Sequence, residues 1–130
     1  GSTDVNGFLS SQQANIFKLS LEYCNSLVDT TALRDSFFGN NPAVAFGSGP
    51  NTALDTQAER DVVINRLLDR MVGVNLASQP NRTSLSTEVN TMLTGFIQGC
   101  TAATCDATRT RAFVKAACTS VLGSAVVLIQ

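Results

Sequence analysis

Four cysteines and a complete lack of histidine decide which chemistry this chain of 130 residues can perform. The cysteines are Cys24, Cys100, Cys105 and Cys118, and an even set with one close pair is typical of structural disulfides. Histidine is the commonest general base and the commonest metal ligand, so the chain lacks both. The pattern predicts a disulfide-stapled domain in an oxidising compartment: extracellular, on the cell surface or periplasmic.

Four cysteines allow three pairings, and helix geometry distinguishes them. Cys118 lies about 12 residues into the predicted last helix, which places it roughly 18 Å along the axis from the start of that helix. Cys100 and Cys105 both lie at or before that start, whereas a disulfide needs Cα atoms within about 7 Å. We therefore predict the pairs Cys24–Cys118 and Cys100–Cys105.

A zinc site with four thiolates is the main alternative use of the cysteines. Such sites usually draw their ligands from two close pairs, whereas Cys24 and Cys118 are isolated within helical patterns. The C-x-x-C-H motif of covalent haem and the C-x-x-C motif of redox-active dithiols are both absent from the sequence. The prediction is no metal and no cofactor.

Apolar spacing predicts an all-α fold, a bundle of four long helices plus one short helix. Ser10-Ser11-Gln12-Gln13 has the form of a capping box and predicts a first helix over residues 10–29. Apolar residues recur there at helical spacing: Ile16, Leu19, Tyr23 and Leu27, flanked by Phe17, Leu21, Cys24 and Val28. A short second helix, capped by Thr30 or Thr31, carries Phe37 and Phe38.

Three further helices are predicted from capping and periodicity. Thr56-Gln57-Ala58-Glu59 is a second capping box, which opens a helix that runs to about Val72. A connector follows over residues 74–83, and then a helix that begins near Leu85 and ends at Gly99. The last helix is predicted over residues 106–128, with Val114, Cys118, Val121, Leu122 and Val126 facing the core.

The segment 39–55 breaks all periodicity and is rich in glycine, proline and asparagine. A loop of this length in a compact domain is often functional. The interpretation that the residues favour for Phe46 is a plug that pins the loop to the bundle. The alternative is an exposed ring that stacks on a sugar or a peptide, and the candidate ligand-binding residues are then Phe46, Asn40, Asn41 and Asn51.

Composition excludes several classes of function. The net charge is −1 and only 15% of residues are charged, so no basic stripe exists to bind nucleic acid. The apolar run over residues 121–129 contains Gly123 and Ser124 and is far shorter than the ~20 residues of a membrane span, so no membrane insertion is predicted. We expect the isolated domain to be a monomer.

The acidic residues do not indicate an enzyme. Glu59, Asp61 and Asp69 share a helix with Arg60, Arg66 and Arg70, which is typical of a solvated helix face. Asp29, Asp35 and Asp55 flank the long loop without forming a specified pair. The prediction is a protein without catalytic residues.

The first two residues, Gly1-Ser2, resemble the remnant of a cleaved expression tag. We therefore expect one helical domain over residues 3–130, excised from a longer protein.

Several segments resemble a helical region of large exported proteobacterial proteins. Those multidomain proteins also carry laminin-G-like (concanavalin-type) sandwich domains and, in some members, cytochrome-like segments. The resemblance rests on Leu21-Glu22-Tyr23-Cys24-Asn25-Ser26-Leu27-Val28-Asp29, Leu33-Arg34-Asp35-Ser36-Phe37-Phe38, Leu67-Leu68-Asp69-Arg70-Met71, Asn75-Leu76-Ala77-Ser78-Gln79-Pro80, Val114-Lys115-Ala116-Ala117-Cys118 and Leu122-Gly123-Ser124-Ala125. It implies an accessory domain beside a sandwich that contacts polysaccharide, and it supplies no catalytic residues.

These observations predict a non-catalytic interaction or structural module of a secreted or cell-surface multidomain bacterial protein. Through the segment 39–55 it would contact polysaccharide, a surface protein or a neighbouring domain of its parent. Two alternatives stay open. One is a redox or electron-transfer accessory domain that docks a cytochrome segment of the same protein, and the other is a carboxylate-based hydrolase.

Overall fold

A computed structural model describes the backbone over residues 2–39, 43–72 and 81–129, and the side chains between residues 13 and 125 of those ranges. Its helices are α1 (Ser2–Asp29), α2 (Thr31–Phe38), α3 (Pro50–Ala53), α4 (Gln57–Met71), α5 (Arg82–Gln98) and α6 (Ala107–Ile129). The predicted all-α class is confirmed, with two short helices, α2 and α3, where one was predicted. No helix, as far as it is described, is long and apolar enough to cross a bilayer.

Helix α6 is the central helix of the bundle, since α1, α3, α4 and α5 all pack against it. Its predicted inner stripe is buried at Val114, Cys118 and Val121, while Leu122 is half-buried. The rest of the core comes from the facing helices and includes Val28, Phe38, Ile64, Leu67, Leu68, Val89 and Leu93. Each such side chain contributes about 1.5–3 kcal/mol by leaving water.

Both predicted disulfides are present. Cys24 of α1 is bonded to Cys118 of α6, with the Cα atoms 5.8 Å apart and 94 residues between them in sequence. Cys100 is bonded to Cys105 across the α5–α6 turn, with a Cα separation of 5.6 Å. No cysteine is left free. The argument from helix geometry is confirmed, because Cys118 lies in the interior of a continuous α6.

The predicted start of the first helix at residue 10 is wrong, because α1 begins at Ser2. A capping box marks a helix start only where the chain before it is non-helical. No proline interrupts the eight residues that precede Ser10, so the helix continues through them.

The buried face of α1 is also narrower than the sequence pattern indicates. Ile16, Cys24, Leu27 and Val28 are buried, together with the small polar Ser20. The other apolar residues of the pattern are exposed, namely Phe17, Leu19, Leu21 and Tyr23. The reason is topological: α1 packs mainly on α6 and α2, and a helix at the edge of a bundle buries only one stripe.

The predicted capping box at α4 is confirmed. The Thr56 hydroxyl accepts from the Glu59 backbone N–H at 3.2 Å, and the Thr56 N–H donates to Glu59 Oε1 at 2.9 Å. Arg60, which was assigned to the solvated face, instead joins elements together. Its guanidinium donates to the Leu54 and Asp55 carbonyls and to Asn90 Oδ1 of α5.

Two boundaries differ from the prediction. The segment 39–55 contains α3, whose first residue is Pro50; proline is favoured there because its fixed φ suits a helix start and its missing N–H costs nothing. Helix α5 begins at Arg82, inside the predicted connector 74–83, because the Asn81 side chain caps it by accepting from the Ser84 N–H at 3.0 Å.

Candidate functional site

A groove of about 800 Å³ lies between the middle of α1, the start of α5 and the C-terminal half of α6. We call it the α1–α5–α6 groove. The described residues that line it are Gln13, Ala14, Ile16, Phe17, Asn81, Ser84, Leu85, Glu88, Thr119, Ser120, Gly123 and Ser124. Its size is within the range of ligand sites in proteins, and most of its surface is apolar.

The apolar part of the groove comes from α1 and α5. Ile16 and Leu85 are buried, so they form its inner wall. Phe17 also lines the groove, yet 59% of its surface is exposed, which places an aromatic ring between the groove and solvent. A large exposed aromatic residue beside an apolar groove is a feature of binding surfaces.

The three hydroxyl groups of α6 among the described lining residues are already hydrogen-bonded. Thr119 donates to the Lys115 carbonyl at 2.8 Å, and Ser124 donates to the Ser120 carbonyl at 2.7 Å. Ser120 donates to Sδ of Met92 on α5. These groups therefore need no partner from a ligand, and an apolar molecule can cover them without leaving a buried donor unsatisfied.

Small side chains create the space in the groove. Ala14 of α1 and Gly123 of α6 both line it, and a Cβ atom placed on Gly123 would have no heavy atom within 4 Å. A larger residue at position 123 would therefore occupy the groove rather than clash with the bundle.

The disulfide Cys24–Cys118 fixes one side of the groove. It joins α1 to α6, and the groove residues Thr119 and Ser120 directly follow Cys118 on α6. On the opposite side, α5 packs on both α4 and α6. The helices that frame the groove are thus held by a covalent bond and by core packing.

The segment 39–55 was the predicted binding site, and its described part is packed inward. Phe46 is only 8% exposed, with its ring centroid 5.4 Å from that of Phe38. The Arg34 guanidinium lies over the Phe46 ring, 5.0 Å from its centroid. A ligand could therefore reach the Phe46 ring only if the segment moved.

Hydrogen bonds tie the same segment to the disulfide turn and to α6. The buried Thr110 hydroxyl donates to the Ser48 carbonyl at 2.6 Å. Asn51 Nδ2 donates to the Cys100 carbonyl at 3.3 Å, while its buried Oδ1 has no partner among the described residues. Asn40 and Asn41 lie outside the described residues. A ligand-binding role for these residues stays a prediction.

Gly49 is required where this segment approaches the disulfide turn. A Cβ atom at this position would overlap the backbone carbonyl oxygen of Cys105. The backbone of Cys105 cannot move aside as easily as the end of a flexible side chain could. We expect Gly49→Ala to lower the free energy of unfolding by about 1–3 kcal/mol, measured by urea denaturation.

Gly47→Ala is the matched control, because a Cβ atom at Gly47 meets nothing within 4 Å. We expect its stability to stay within about 0.5 kcal/mol of the parent chain. Equal stability of the two alanine variants would show that the approach of Gly49 to Cys105 is not tight.

The acidic residues of α4 have structural partners. Asp69 forms an ion pair with Arg82 at 2.7 Å, Asp61 accepts from Gln57 at 2.7 Å, and Glu59 completes the capping box. Asp29 at the end of α1 pairs with Lys115 of α6 at 2.7 Å. Over the described ranges, no three Cys, Asp or Glu side chains converge as a cation site. The absence of catalytic activity stays a prediction.

The α1–α5–α6 groove was not predicted from the sequence. The helices that frame it were predicted. Its lining, however, combines residues from three distant segments of the chain, and these residues do not form a sequence motif. The available signal was weak: Gly123 and Ser124 interrupt an otherwise apolar run, and exposed Phe17 lies on the flank of the α1 stripe.

Comparisons of the chain with protein-family models, with curated proteins and with solved structures gave no match. The resemblance to exported proteobacterial proteins therefore stays a prediction from the segments quoted above. Function is inferred from the geometry of the groove and the chemistry of its lining.

Proposed function

We propose that this protein is a non-catalytic binding module of an oxidising compartment, and that the α1–α5–α6 groove is its binding surface. The observation that carries the proposal is the groove itself, about 800 Å³ of mostly apolar space framed by three helices. Two disulfides suit an extracytoplasmic location, where such bonds persist.

The lining supports binding rather than catalysis. Acid–base or nucleophilic catalysis requires a nucleophile within reach of a base. The Ser120 hydroxyl is directed at Met92 Sδ, and Thr119 and Ser124 donate to backbone carbonyls of their own helix. Glu88 is the one carboxylate among the described lining residues.

The groove replaces the segment 39–55 as our preferred contact surface. Phe46 of that segment is buried and Asn51 is hydrogen-bonded within the fold, whereas Phe17 at the groove is exposed. We retain the proposal that the module belongs to a secreted or cell-surface multidomain bacterial protein, next to a domain that contacts polysaccharide. That part rests on the sequence resemblance alone.

The proposed function is tested by a substitution that places a larger side chain in the groove. In Gly123→Leu the new side chain extends into the groove, and leucine is a better helix former than glycine by about 0.8 kcal/mol. We expect this variant to be at least as stable as the parent chain and to bind the neutral apolar dye Nile red about tenfold more weakly, measured by fluorescence titration.

Gly95→Leu is the matched control. Gly95 also lies inside a helix with nothing within 4 Å of an added Cβ, but it does not line the groove. We expect it to gain the same helix propensity and to keep the dye affinity of the parent chain. Equal binding by both leucine variants would contradict the proposed function.

A further inference from the structure

We propose that the α1–α5–α6 groove selects a cationic amphiphile, a molecule with an apolar chain and an amine or quaternary ammonium end. This inference rests on the proposed function and specifies its ligand. It follows from how the apolar, hydroxyl and charged groups are distributed around the groove.

The apolar chain is accommodated by the inner wall. Ile16 and Leu85 are buried there, and the neighbouring hydroxyls of Thr119 and Ser124 are satisfied by backbone carbonyls. Covering this wall with methylene groups therefore removes apolar surface from water without breaking a hydrogen bond. A sugar placed against α6 would find the hydroxyls of Thr119, Ser120 and Ser124 already engaged.

The charged end is specified by Glu88, which alone among the described lining residues carries a charge. Ser84, Leu85 and Glu88 lie on one face of α5, at spacings of one and three residues, and the capping residue Asn81 precedes Ser84 by three. Glu88 lies one turn beyond Ser84, about 6 Å along the axis. The carboxylate thus stands beside the apolar wall and is exposed to solvent.

The Glu88 carboxylate has no ion-pair partner in the part of the chain that the structure describes. Asp69 and Asp29, in contrast, are paired with Arg82 and Lys115. A ligand ammonium group would supply the missing opposite charge, and a ligand carboxylate or sulfate would be repelled. The exposed Phe17 ring on the same groove offers a second surface that favours cations.

The test compares three molecules that share one decyl chain and differ only in their end group. Decyltrimethylammonium, decyl maltoside and decyl sulfate are titrated below their micelle concentrations at low ionic strength, with binding measured by calorimetry and the fold monitored by circular dichroism. We expect the ammonium compound to bind about tenfold more tightly than the maltoside, and the sulfate to bind most weakly.

Glu88→Gln tests the source of this preference. We expect it to bring the ammonium affinity down to that of the maltoside while the maltoside affinity is unchanged. Glu22→Gln is the control, because it makes the same change of net charge at an exposed position of α1 that does not line the groove. We expect this variant to keep the preference for the ammonium compound.

The possible results distinguish the cationic preference from the proposed binding function on which it rests. If the three compounds bound with equal affinity and Gly123→Leu weakened all of them, the cationic preference would be overturned, but the groove would still be the binding surface. Tighter binding of the sulfate would also overturn the preference. Failure of all three to bind, or binding that Gly123→Leu does not weaken, would overturn the proposed function as well.

Discussion

Replacement of Cys24 and Cys118 together by alanine is expected to lower the free energy of unfolding by about 4.5 kcal/mol. The bond closes a loop between residues separated by 94 positions, so its removal restores a large conformational entropy to the unfolded chain. A domain of this size has a total stability of roughly 5–15 kcal/mol, so the variant would keep only a part of it. Urea denaturation under oxidising conditions measures the difference.

The Cys100–Cys105 pair provides the comparison within the same chain. Its partners are separated by only 5 positions, and the entropy model assigns it about 2 kcal/mol. We therefore expect the Cys100→Ala, Cys105→Ala variant to unfold at a clearly higher urea concentration than the Cys24→Ala, Cys118→Ala variant. The reverse order would show that strain or residual structure, rather than loop length, decides the effect.

Phe46→Ala is expected to destabilise the fold by about 3 kcal/mol, as truncation of a core phenylalanine does. The side chain is 8% exposed and contacts the cluster around Phe38, and the Arg34 guanidinium lies 5.0 Å from its ring centroid. The truncation leaves a cavity and removes that cation–π contact. Thermal unfolding followed by circular dichroism measures the loss.

Phe17→Ala is the control for this substitution, since it makes the same truncation at a ring that is 59% exposed. We expect it to cost less than about 1 kcal/mol and to weaken dye binding in the groove. If Phe46→Ala left the melting temperature unchanged and Phe17→Ala lowered it, the assignment of core and surface roles would be wrong.

The fold was largely predictable because its determinants are local. Capping at Thr56, the period that begins at Leu85 and the position of Cys118 within a helix each depend on a few neighbouring residues. The errors also have local causes. At residue 10 a capping motif lies inside a helix, and at Pro50 a residue typical of turns begins one.

The groove was not predictable because it depends on which side of each helix meets its neighbour. Phe17 and Leu21 have the same spacing as core residues, and only the edge position of α1 leaves them exposed. Phe46 occurs in a segment typical of surface loops, and its approach to Phe38 and Arg34 shows that it is buried, as the plug interpretation expected. Such facts are properties of tertiary packing.

The central place of α6 has a consequence for the order in which the chain folds. The helices α1, α3, α4 and α5 all pack on α6, yet α6 follows every one of them in sequence. As the chain emerges during synthesis, α1 can pack on α2 and α4 on α5, but the helix that all of α1, α3, α4 and α5 share is missing until residues 107–125 have appeared. The long-range contacts of α6 and the Cys24–Cys118 bond can form only after this last helix has been synthesised. The bundle therefore completes its core only when its last helix is present.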